Sequence, residues 1–150
     1  MRRIAPCLLA LAALAPPAAL FAQAPADAAR PVSVTVTGLH SSQGQLIACL
    51  WRDKTGFPSC EKSKTARRVV LPVTGTTMHF AFDAVPPGDY AVTVHHDEDR
   101  DGKMKHNFIG MPMEGVGVSN NPGGMPGYTK SLVSLAPGSA ISIKMRYLFD

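Results

Sequence analysis

Residues 95 to 110, HHDEDRDGKMKHNFIG, concentrate side chains able to do chemistry. Asp97, Asp99 and Asp101 alternate, Gly102 sits where a sharp turn is needed, and the Lys103 carbonyl falls where a calcium loop uses a backbone oxygen. Hard oxygens at this spacing suit a hard divalent cation. Position 12 of such a loop is Phe108 rather than the bidentate Glu expected there, so the distal carboxylate must come from elsewhere. Glu114 is the candidate, if the chain folds back. Lys105 opposes the ion: two unit charges about 5 Å apart repel by about 3 kcal/mol at an effective dielectric of 20, unless the side chain swings outward. The alternative is a purely structural loop, because acidic alternation also solvates a hairpin tip. In either case His96, Gly102 and Asn107 are expected to order the loop.

Two other chemistries use the same region. His95, His96 and His106 lie near Met104, Met111, Met113 and Met125, and imidazole with thioether suits copper(I), although methionine also fills gaps in ordinary cores. A hydrolase would use His96 as a base with Asp97 or Asp99. The chain has no Gly-x-Ser-x-Gly, no His-Glu-x-x-His and no phosphate-cradling glycine turn before a helix, so an enzyme has no motif behind it.

The elements that must position these residues read as strands. In PVSVTVTGL, Val32, Val34 and Val36 alternate with Ser33, Thr35 and Thr37, the period of a half-buried strand. GQLIACLWR is apolar in both parities, which suits a central strand covered on both faces. ARRVVLPV and TMHFAFDA flank a Thr-Gly-Thr turn and read as a hairpin, with Pro72 marking an edge strand or a bulge. VPPGDYAVTVHH enters from a Pro-Gly turn, and its alternation of Tyr90, Val92 and Val94 carries His96 inward and His95 outward. Residues 97 to 130 have no helix or strand period and form one long Gly/Asn-rich loop, before SLVSL and AISIKMRYL close the chain. About seven strands and no amphipathic helix predict an all-β sandwich.

Met1-Arg2-Arg3, an apolar run from Ile4 to Leu20, and small residues beyond it follow the order of a secretory signal, with cleavage after Ala26 or Ala22. The expected domains are therefore a signal peptide over 1–26 and one sandwich over 27–150. Arg2 and Arg3 leave with the signal, so 13 basic residues face 11 acidic ones and the formal charge falls from +4 to +2. That mild balance gives no case for nucleic acid, and the apolar run is too short for stable membrane insertion. Of three cysteines, Cys7 departs with the signal. The remaining pair, Cys49 and Cys60, reads as a disulfide in an oxidising compartment, periplasmic or secreted.

The ordered set PPGDYAV, HDEDRDGKM, NFIGMPMEGVG and SNN resembles the bacterial exported family DUF2141 over residues 31 to 147. The resemblance implies an immunoglobulin-like or transthyretin-like sandwich and no established activity. Lys105 departs from the family pattern, standing where an Asp is common. The reading that follows is an exported, non-catalytic module with a protein or cell-envelope partner, for which calcium is an optional cofactor. A small hydrolase using His96, or a His/Met copper protein, is the alternative.

Overall fold

The computed structural model describes residues 30–149. The expected signal peptide, residues 1–26, lies outside the described residues. Eight strands follow in order: β1 (Val32–Thr37), β2 (Gln45–Trp51), β3 (Arg67–Pro72), β4 (Thr77–Phe82), β5 (Gly88–Asp97), β6 (Gly115–Val118), β7 (Val133–Leu135) and β8 (Ala140–Lys144). Single 3₁₀ turns at Cys60–Lys62 and Thr129–Ser131 are the only helical elements among the described residues. The fold is all-β, as the alternation predicts, with eight strands in place of seven.

One sheet has the order β4-β1-β8, with β1 and β8 parallel; the other has the order β3-β2-β5-β6, with β7 added to the start of β5. Val32, Val34 and Val36 of β1 meet Leu46, Ala48 and Leu50 of β2 and Tyr90, Val92 and Val94 of β5 in one continuous core. Cys49, Trp51 and Ala91 point away from it into a second cluster, covered by Phe57, Cys60, Ala66 and Tyr128. This is why β2 is apolar in both parities. A Cys49–Cys60 disulfide ties the covering loop down, and Trp51 Nε1 donates to Thr93 Oγ1 at 2.8 Å across the same face.

Two expectations are corrected. β3 and β4 form no hairpin: β3 is the edge strand beside β2, with Leu46 opposite Leu71, and β4 pairs with β1, with Val34 opposite Phe80. A hairpin would put the apolar faces of both strands on one side of one sheet. Crossing between sheets instead lets Val69 and Leu71 pack against the shared core from one sheet while Met78 and Phe82 enter it from the other, and burying apolar area in this way stabilises the sandwich.

The stretch 97–130 contains a strand that periodicity did not reveal. β6 reads GVGV and pairs with β5, and glycine is needed because the chain after β8 lies over it. A Cβ on Gly115 would fall 2.3 Å from Tyr147 Cε1, and one on Gly117 2.7 Å from Ile143 Cγ2. Glycine in a strand marks such close approach, which propensity alone reads as loop.

Candidate metal centre

β5 is the longest strand, ten residues, and it delivers the acidic loop. Successive side chains leave a strand on opposite faces. His96 therefore enters the sandwich between the sheets, while His95 and Asp97 leave from the outer face. Behind the loop the β1–β2 turn packs so closely that a Cβ on Gly44 would lie 2.3 Å from the Asp97 carbonyl oxygen. Gly44 has φ +76°, which glycine alone adopts without strain.

On the outer face, Asp97, Asp99 and Glu114 place carboxylate oxygens within 4.8 Å of one another. Asp97 is fully buried and Glu114 nearly so, whereas Asp99 is exposed. Asp97 Oδ2 accepts from Gln45 Nε2 at 2.7 Å and from the Gly102 amide at 2.8 Å. Its Oδ1 is buried and accepts no hydrogen bond from an N–H or O–H among the described residues. Glu114 Oε2 accepts from His95 Nε2 at 2.8 Å and from the Lys105 amide at 3.1 Å, and Oε1 accepts from nothing among the described residues. The Lys105 ammonium pairs with Asp99 Oδ2. That contact holds the Asp99 carboxyl below its usual range and raises the Lys105 ammonium above its own.

The chain does fold back to bring Glu114 within 4.8 Å of Asp97 and Asp99, where a carboxylate replacing position 12 would have to stand. Asp101 stays outside the cluster: its Oδ1 accepts from the Lys103 amide at 2.7 Å, and its own amide reaches Asp99 Oδ1 at 3.3 Å. Asp101 and Lys103 shape the turn. Gly102 has φ +77° and donates to Asp97, and Asn107 Oδ1 accepts from the amides of Ile109 and Met111, closing the next turn. The sequence reading missed Gln45 altogether and took His95 only as a copper ligand, not as the group that orients Glu114. Only the outward parity of His95 hinted at the second role.

His96 is spoken for on the inner face. Nε2 faces the Gln43 carbonyl oxygen at 2.9 Å, and because a carbonyl can only accept, Nε2 carries the proton. Nδ1 then accepts from the Tyr147 hydroxyl at 2.7 Å, which itself accepts from the His40 amide at 3.3 Å. His96 also belongs to a second cluster, with His40 and Glu98. His96 leaves β5 on the face opposite Asp97, the first of the two carboxylates that a hydrolase would pair with it.

Of the copper candidates, His95, His106, Met104, Met111 and Met125 line one groove of about 530 Å³ on the outer face. His96 lies across the sheet, and Met113 is absent from the groove's lining and 54 % exposed.

A two-sheet sandwich of eight strands, carrying at the end of its longest strand an acidic loop closed by a returning glutamate, defines the class of protein. The family model described as "Uncharacterized protein conserved in bacteria (DUF2141)" matches residues 34–143, and the chain belongs to that family. No curated protein and no solved structure gave a match. Among the described residues, no helix is long and apolar enough to cross a membrane.

Proposed function

We propose that the protein is an exported, non-catalytic binding module whose acidic loop takes a calcium ion weakly, through Asp97, Asp99 and Glu114. The buried Oδ1 of Asp97, which accepts no hydrogen bond among the described residues, carries this reading. Leaving a buried acceptor unsatisfied costs about 1–3 kcal/mol, and more when it is charged, so a carboxylate oxygen kept that way beside two further carboxylates favours a cation. With every group ionised, three carboxylates against the Lys105 ammonium leave two negative charges, those of one divalent ion. Carboxylate oxygens select calcium or magnesium over softer metals, and three carboxylates from the protein itself suit calcium better than magnesium, which keeps several waters and takes one or two. His95, donating to Glu114, would play the orienting part that outer-shell groups play at metal sites.

Lys105 competes for Asp99, which argues for affinity in the millimolar range typical of extracellular modules. The secretory pattern of residues 1–26 and the Cys49–Cys60 disulfide both suit an oxidising compartment, where such calcium levels occur. Melting of the purified chain with and without calcium tests the proposal. A Kd near 1 mM predicts about 1.4 kcal/mol of stabilisation at 10 mM calcium, a rise of about 5 °C for a domain this size. Asp97→Asn keeps an acceptor for Gly102 and should erase the shift. No rise with wild type, or an equal rise in the variant, would sink the assignment.

A further inference from the structure

We propose that the outer-face groove is a second binding site, for a small amphiphile with an apolar body and an anionic head. Its volume, about 530 Å³, lies within the range of about 300–1,000 Å³ that small-molecule pockets occupy. The floor is built by β6, whose glycines turn inward under Tyr147 and Ile143 and whose Val116 and Val118 therefore turn outward, half-buried. An edge strand facing water would carry polar or charged residues there. Methionines form much of the walls, Met104 and Met111 from one segment and Met125 from another, and their flexible thioethers adapt to varied apolar shapes. Met125 is 65 % exposed and Leu148 46 %, so the lining is apolar out to the mouth.

Charge fixes the polarity of the ligand. A shallow depression of about 40 Å³ adjoins the groove and shares Val116, Val118 and Arg146 with it, and it adds Lys144 and no acidic residue. Arg146 spends one guanidinium nitrogen on the Asn121 carbonyl oxygen at 3.4 Å and pairs with no carboxylate among the described residues. The single carboxylate lining the groove, Glu61, comes with Pro58 and Ser59 and has no place in the depression. A head group seated there meets two cations while its tail covers Val116 and Val118. Fatty acids and apolar aromatic acids share this chemistry.

Calorimetric titration of the full chain with laurate, below its micellar concentration and in chelator so that the carboxylate cluster plays no part, tests the site. One saturable site is expected, with dodecyltrimethylammonium binding at least about tenfold more weakly. Lys144→Gln with Arg146→Gln should weaken laurate about tenfold and leave dodecanol within about twofold. Met125→Glu, at an exposed position, should abolish binding of both without moving the melting temperature. Titration with an aromatic sulfonate then separates a requirement for a long tail from a requirement for an apolar acid. Non-saturable uptake, equal binding of the cationic amphiphile, or indifference to Met125→Glu would overturn the proposal.

Discussion

Asp97–Asp99–Glu114 and His40–His96–Glu98 are both clusters of three potential ligands within 4.8 Å, set on opposite sides of the end of β5. They differ in what is left over. On the inner side both ring nitrogens of His96 are bonded, Tyr147 stacks on His40 with ring centroids 3.6 Å apart, and Glu98 accepts from Ser41 and His40. On the outer side a buried carboxylate oxygen accepts no hydrogen bond among the described residues. Proximity of ligand types is therefore a poor guide to function by itself. Where the protein has already satisfied a cluster, it acts as a joint; where it has not, a ligand has room to act.

Removing His96 is the strongest way to break this contrast. His96→Ala takes away the hydrogen bond to the Gln43 carbonyl and the one from the Tyr147 hydroxyl and opens a cavity between the sheets, so a loss of about 3 kcal/mol or more is expected by chemical denaturation. The calcium-dependent rise in melting temperature should survive in whatever fraction folds. Should stability hold while the calcium response vanishes, the inner cluster would be the ligand site and the comparison would be inverted.

Much of this architecture was legible in the sequence because period-2 alternation sorts residues between faces: Val32, Val34 and Val36, the double-sided apolarity of β2, and the inward turn of His96 were all readable. The approach of Glu114 to Asp97 and Asp99 was anticipated by asking what a calcium loop would still lack. What stayed hidden depends on chain segments far apart meeting. Tyr147, 51 residues beyond His96, explains both the buried imidazole and Gly115 of β6. The crossing of β3 and β4 between sheets likewise follows from competition among whole strands, where local turn chemistry favours a hairpin. Gln45 could not be seen as a partner of Asp97 until β2 was laid beside β5 with those two residues opposite.

Lys105 tests the outer side with a smaller effect. Its ammonium neutralises Asp99 and repels an incoming cation, and the repulsion, about 3 kcal/mol per unit of ionic charge at about 5 Å, is reduced where the side chain can swing into water. Lys105→Met should thus tighten calcium binding about tenfold, or about 1.4 kcal/mol, read by calorimetry. Without calcium the variant should lose little stability, because the pair it breaks is exposed. Unchanged affinity would mean that Asp99 is no ligand and that Asp97 and Glu114 face each other without it.

The smallest effect belongs to the satisfied side. Glu98 accepts from the Ser41 hydroxyl and from His40, and the Ser41 bond above all holds its carboxyl below the usual range. A carboxyl whose folded value is depressed contributes stability above its unfolded value of about 4.3. That contribution disappears as pH falls through the lower folded value. Glu98 is largely exposed, so the term is a few tenths of a kcal/mol after solvent screening. Ser41→Ala should move the Glu98 carboxyl back toward its ordinary range in an NMR titration. It should also flatten, by that small amount, the stability difference between pH 6 and pH 3 relative to wild type. Because the depressed carboxyls of Asp53 and Asp99 are common to both proteins, only the difference between them reports on Glu98. The calcium response at neutral pH should be the same in both. If Ser41→Ala weakens it, the two sides of β5 communicate through Glu98, the residue that sits between Asp97 and Asp99 in the chain.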